Sequence, residues 1–178
     1  MKSALEALLE ETQNVMVGID TEWGDDGHGC ALVQIATLQN VFLIDLMPLR
    51  QSAVGEDAEA LVSNLCWILT EPRLVKIGYS FAHDWNQLEI ISPGICSRSR
   101  SVHDLQPLVA ERMQSVSGRN SLVGLSSAVR FFLGHPLNKR QQCSDWCTRP
   151  LTRAQISYAA LDAVVLMDLV LNLGSQKM

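Results

Sequence analysis

The chain has no uninterrupted apolar run long enough to span a bilayer, no C-x-x-C pair, no internal repeat and no low-complexity linker. The first absence argues against a membrane helix. The second argues against the common zinc and redox motifs. Its five cysteines are odd in number and scattered, which reads as reduced thiols in an intracellular protein, cytoplasmic or nuclear. A zinc site from Cys143, Cys147 and His135 would match no common ligand spacing. The first residues, MKSALEALLEETQ, place Leu5, Leu8 and Leu9 between acids. That is an amphipathic helix rather than a signal peptide. With no linker in 178 residues, the chain reads as a single domain, 1–178, large enough for a full core.

Charge is present but unevenly spread. Residues 1–97 hold 14 acids against 4 bases, whereas residues 98–153 hold 9 bases against 3 acids. An acidic half beside a basic half suits a metal-binding centre next to a phosphate-gripping rim. Charge alone is better served by ordinary solvated faces, and only the acidic motifs tip the balance.

The apolar periodicity predicts the elements. VMVGID is a strand with Val15, Val17 and Ile19 on one face and Met16, Gly18, Asp20 and Glu22 on the other. GDDGHG (24–29) is a turn, and strands over 30–37 and 41–46 complete an antiparallel meander. Residues 56–69 have helical spacing, LVKIGY is a short buried strand, and a helix begins near Ala82 and ends before Ser92. SVHDL is a further strand leading into a helix. Ser121 is placed to cap a helix that turns Leu122, Leu125, Val129, Phe132 and Leu133 inward and closes at Gly134. Thr152 and Gln155 have capping-box spacing ahead of a last helix that runs to about Leu173, with Gly174 as its stop. Strands first, then strands alternating with helices, predict a mixed sheet covered by helices.

Five residues stand out against this frame. Asp20 and Glu22 are two apart on a strand, so their carboxylates share a side. Asp84 follows a central strand and falls at the mouth of the sheet, where open α/β folds gather their sites. Tyr158 and Asp162 are four apart on the last helix and share a face. An acid on an apolar element costs free energy unless something pairs with it. Several acids together repel unless a cation lies between them. Each pattern alone has a bland reading: solvated strand-end acids, a helix-dipole partner for Asp84, a core tyrosine beside an exposed aspartate.

In combination and in this order, the motifs resemble the DEDDy branch of the 3′–5′ exonucleases, the group of ribonuclease D, Werner-type and Mut-7/Nibbler-type domains. QQCSDWCTRPLTRAQISYAALDAVVL (141–166) is similar to the family's third motif almost throughout. LVQIAT and VFLIDL match its second and third strands, and GLSSAVRFFLGHPLNK the helix and turn before that motif. The resemblance runs from about Val15 to Leu173 and is closest to the Mut-7/Nibbler type. One departure is Ser80, four residues before Asp84, where other DEDD exonucleases often carry Asn, although the DEDDy branch is variable there. His83 lies in the wrong motif to be the histidine of the sister DEDDh branch, whose place Tyr158 takes.

The resemblance implies an α/β, ribonuclease-H-like fold with a five-stranded mixed sheet flanked by helices. It implies that Asp20, Glu22, Asp84 and Asp162 hold two Mg²⁺ or Mn²⁺ ions and that Tyr158 orients the attacking water. It assigns the substrate contacts to Trp23 and Phe81 as stacking rings, and to Lys139 and Arg149, with Arg153 nearby, as backbone grips. The implied activity is hydrolysis of single-stranded nucleic acid, RNA ahead of DNA, from the 3′ end to nucleoside 5′-monophosphates. The alternatives are a DNA-processing enzyme of the Werner type and a non-catalytic binding module on the same fold. The chain begins just before the first motif and stops just after the third, as an isolated domain would.

Overall fold

The computed structural model describes residues 1–24, 27–50, 55–117 and 123–175. Five strands form one sheet: β1 (Val15–Trp23), β2 (Cys30–Ala36), β3 (Val41–Asp45), β4 (Leu74–Gly78) and β5 (Val102–Asp104). Their spatial order is β3-β2-β1-β4-β5. The first three pair antiparallel, while β4 joins β1 in parallel and β5 joins β4 in parallel. The sheet is therefore mixed, with the first strand at its centre.

Strand alternation sorts β1 between two cores. Val17 and Ile19 are fully buried with Leu5 and Leu9 of α1 (Lys2–Glu11), Leu65, Ile68 and Leu69 of α3 (Glu56–Thr70), and Leu88 of α4 (Ala82–Ile91). The opposite face is covered by α6 (Gln106–Ser117), α7 (Leu125–Leu133) and α8 (Arg153–Ser175), which bury Val109, Val129, Val165, Leu166 and Leu169. Two four-residue helices, α2 (Met47–Arg50) and α5 (Ile95–Arg98), complete the connections.

The predicted capping box forms. The Thr152 amide donates to Gln155 Oε1 at 3.0 Å, and the Gln155 amide donates to Thr152 Oγ1 at 3.2 Å. Two boundaries differ from the sequence reading. Gly174 lies inside the last turn of α8 rather than stopping it, and Ser175 Oγ donates to the Asn172 carbonyl at 2.8 Å to finish that turn. Helix α7 begins at Leu125 after an extended Gly124 and ends at Gly134, whose φ of 92° is the left-handed conformation expected there. The expected cap Ser121 and its neighbour Leu122 lie outside the described residues, as does part of the turn at 24–29.

By length and composition α8 is also apolar enough to cross a membrane. In this fold one side of the helix is buried, with Ala159, Ala163, Val165, Leu166, Met167 and Leu169 covered, while Ile156, Leu161 and Leu171 stay exposed. Helix α8 can lie this close to β1 because Gly18 has no side chain. A methyl group at Gly18 would collide with the Ala163 carbonyl oxygen and come within 3.3 Å of Leu166 Cβ. Both neighbours belong to a buried helix and cannot swing away. We expect Gly18→Ala to lower stability by about 1–3 kcal/mol, as overpacking does, and to push α8 away from the sheet. Urea unfolding measures the first effect, and a variant as stable as the parent would show that α8 does not depend on this glycine.

Candidate active site

The same strand that seats α8 on Gly18 carries Asp20 and Glu22 two and four residues further along the same face. Asp162 of α8 is one residue before Ala163 and about one turn before Leu166, the two residues that face Gly18, so it comes up against Asp20 and Glu22. Oxygens of Asp20, Glu22 and Asp162 all lie within 4.8 Å of one another. Glu22 is 7% exposed and Asp162 3%. A register shift in the β1–β2 ladder follows Glu22 immediately, before the last pair, Trp23 with Cys30.

Asp84 sits beside this trio rather than within it. It lies in the first turn of α4, 6% exposed, and accepts a hydrogen bond from Thr21 Oγ1. The turn that delivers it is held by Asp104 at the end of β5. The Ser80 and Phe81 amides donate to Asp104 carboxylate oxygens at 2.8 and 3.0 Å, and the Gln106 amide donates to the same group at 2.9 Å. Ser80 adopts φ 56°, a left-handed conformation that Asn tolerates better than most residues.

All five predicted catalytic residues line one open cleft of about 1170 Å³. Its other walls come from Tyr79 and Ser80, the start of α7 at 124–127, and the loop at 142–147. Tyr158 lies four residues before Asp162, 7% exposed, its ring 6.0 Å from that of the buried Trp146. Trp23 also lines the cleft, half-buried, with its ring centroid 5.1 Å from His83. His83 is thus a support for Trp23.

Three of the expected substrate contacts are placed differently. Phe81 is 2% exposed, packed edge-on to Trp85 in the core beneath the sheet. Gly78 leaves the space its ring fills, since a Cβ there would stand 2.7 Å from Phe81 Cγ. It has no free face to stack on a base. Arg149 is also committed elsewhere. Its Nε and Nη2 donate to the two Asp45 carboxylate oxygens at 2.8 Å each, and its remaining N–H groups reach the carbonyls of Ala31, Trp146 and Thr148. Burial alone would raise the Asp45 carboxyl, but the Arg149 fork holds it below its ordinary value. Arg149 therefore ties the 142–151 loop to β3 and offers nothing to a phosphate. Lys139 does reach the cleft, but its Nζ donates inward to Tyr158 Oη and Asp162 Oδ2, both at 3.2 Å. Arg153 is exposed at the first turn of α8.

Two residues near the acids were not singled out from sequence. Thr21 holds Asp84. Gln34 lies directly across from Asp20 in the β1–β2 pair, is fully buried, and leaves both amide atoms without a hydrogen bond. A polar residue inside the apolar strand CALVQIA was the available signal. Asp162 Oδ1 is likewise buried without a partner.

The electrostatics follow from the crowding. Burial first, then the Asp84 and Asp162 carboxylates, push Asp20 well above the ordinary carboxylate range. Burial, then Asp20 and Asp162, push Glu22 up to about 10. Burial pushes Asp84 to about 6 against the opposing Thr21 hydrogen bond. Burial and then Asp162 push the Tyr158 phenol up, so it keeps its proton at neutral pH. An all-oxygen cluster of repelling carboxylates with one orphaned oxygen is a donor set that suits a hard divalent cation.

Groups whose folded pKa is raised add stability that is complete below their unfolded value and is lost as pH rises through the folded one. For Asp84 that window opens near the ordinary carboxylate range and reaches about 6, and for Glu22 it extends to about 10. In chelator, the melting temperature is therefore expected to fall as pH is raised from 5 to 9. Saturating Mn²⁺ should flatten the slope. A chelated protein equally stable at both ends would refute the crowding of these acids.

Known proteins place this architecture. The 3′–5′ exonuclease family profile matches residues 1–177. The human exonuclease mut-7 homolog is 31% identical over 176 residues, covering 91% of this chain and 20% of the relative. The Aedes aegypti Nibbler EXO domain superposes with a TM-score of 0.74 at 25% identity, covering 96% of this chain and 83% of that one. Escherichia coli RNase D does so with a TM-score of 0.70 at 25% identity, covering 98% and 43%. The chain spans about a fifth to a quarter of the length of the mut-7 relatives it matches. With its ribonuclease-H-like sheet and its acidic cleft, this chain belongs to the 3′–5′ exonuclease domain family.

Proposed function

We propose that this domain hydrolyses single-stranded nucleic acid from the 3′ end, RNA ahead of DNA, and releases nucleoside 5′-monophosphates. The observation that carries the reading is the convergence of Asp20, Glu22 and Asp162 within 4.8 Å, with Asp84 alongside, in a cleft open to solvent. Asp20, Glu22, Asp84 and Asp162 would together hold two divalent cations, Mg²⁺ or Mn²⁺. When bound, such ions supply an activated water and offset the charge that builds on the phosphodiester.

The chain's own residues supply the rest. Tyr158, protonated at neutral pH, presents its hydroxyl beside Asp162 and holds the attacking water in line. The water oxygen bonds to phosphorus as the bond to the 3′ oxygen of the penultimate nucleotide breaks. One water proton ends on that 3′ oxygen and the other on the released phosphate or in solvent. The exposed part of the Trp23 ring, backed by His83, offers a surface on which a terminal base can stack without being read. RNA is favoured because Escherichia coli RNase D is an exoribonuclease involved in structured RNA processing.

The test is digestion of 5′-labelled RNA and DNA oligonucleotides of one sequence with Mn²⁺, Mg²⁺ or chelator. We expect a metal-dependent ladder shortening from the 3′ end, faster on RNA. A faster DNA ladder would favour the Werner-like role, and folded protein that binds oligonucleotide without cleaving it would favour a binding module. Asp20→Ala and Asp162→Ala are expected to reduce cleavage to background with the circular dichroism spectrum kept. Tyr158→Phe should lose about 10²-fold, the size of a positioning or proton-transfer contribution. Full activity in a folded aspartate variant would overturn the site.

A further inference from the structure

Lys139 lies in the irregular segment between α7 and α8, and its head points into the carboxylate cluster rather than out to the rim. Its ammonium is 3.2 Å from Asp162 Oδ2 and 3.2 Å from Tyr158 Oη, and 5.3 Å from the Tyr158 ring centroid. Its positive field reaches Asp20 and Glu22 as well, opposing the effect of their carboxylate neighbours. The side chain is still 30% exposed, whereas that of Asp162 is 5% exposed. The lysine side chain is therefore more open to solvent than the carboxylate it pairs with.

A divalent cation and this ammonium seek the same negative oxygens. They cannot both take Asp162 at full strength, because like charges a few Å apart in a partly buried site repel strongly. We propose that Lys139 is a resident counter-cation: it neutralises the carboxylate cluster in the metal-free protein and is displaced into the cleft when a divalent ion binds. Metal loading then turns an internal ion pair into a free cation facing the nucleic-acid path. This extends the expected role of Lys139 as a backbone grip by making that role conditional on metal. It rests on the proposal that the acidic cluster binds divalent ions.

Two measurements test it without relying on turnover. Mn²⁺ titration by calorimetry compares the parent with Lys139→Met, which keeps the stem and removes the charge. We expect Mn²⁺ to bind about tenfold more tightly to the variant, in keeping with removal of one nearby unit charge. In chelator the variant should melt at least about 3 °C below the parent, and saturating Mn²⁺ should close that gap. The second measurement needs no variant. Acylation of Lys139, followed by mass spectrometry of the parent protein, should be slow in chelator and several-fold faster in Mn²⁺. Equal Mn²⁺ affinities, or Lys139 acylation indifferent to Mn²⁺, would overturn the inference while leaving the metal site intact. Absence of any Mn²⁺ binding to the parent would overturn the metal-site proposal itself, and this inference with it.

Discussion

Contact between α8 and the central strand across Gly18 is the constraint on which the rest of the structure depends. Backbone approaches the helix where a side chain would normally stand, and the helix buries Ala163 and Leu166 against that spot. Asp20 and Glu22 continue the same strand face, and Asp162 precedes Ala163 on the same helix. Carboxylates 140 residues apart in the chain are therefore brought together by packing between small residues, with no attraction of their own. Were the helix carried outward by one side chain, the trio would open and its shared oxygens would no longer converge.

That convergence is unfavourable in isolation. Burial, and then repulsion from neighbouring carboxylates, raise the pKa of Asp20 and Glu22 and lower the stability of their charged forms. The fold tolerates this because the energy comes from elsewhere. Two apolar layers cover the sheet, α8 alone burying much of its length, and the turn before α4 is stitched to Asp104 by two backbone amides, those of Ser80 and Phe81. Rigid elements hold the acids where they would not choose to be, which is the arrangement that makes a site receptive to cations.

The loop ahead of α8 is fastened for the same reason. Arg149 clamps Asp45 with two bonds of 2.8 Å. Gln155 completes the helix cap while its Nε2 donates to Ser144 Oγ and the Asp145 carbonyl. Trp146 is buried against Tyr158. Much of the third motif is thus scaffold for Tyr158 and Asp162. The basic character of this region does not translate directly into phosphate contacts, since Arg149 is consumed internally and Lys139 turns toward the acids.

Local pattern determined a great deal here. The period-2 alternation of β1, the T-x-x-Q cap of α8 and the bounds of α4 are consequences of short-range geometry, so they were legible in the sequence. So was the gathering of Asp20, Glu22, Asp84, Tyr158 and Asp162 around one cleft, because acids on otherwise apolar elements are conspicuous and their order resembles a known family. Local pattern could not say which exposed-looking side chains face the cleft. Phe81 and Arg149 were equal candidates with Trp23 and Lys139 until the fold put the first in the core and the second on Asp45. Nor could it say that Asp84 would stand beside the trio, or that Gln34 would leave its amide unsatisfied across from Asp20. Those outcomes depend on which distant residues meet, and only the packing of α8 and the loop before it on the sheet decides that.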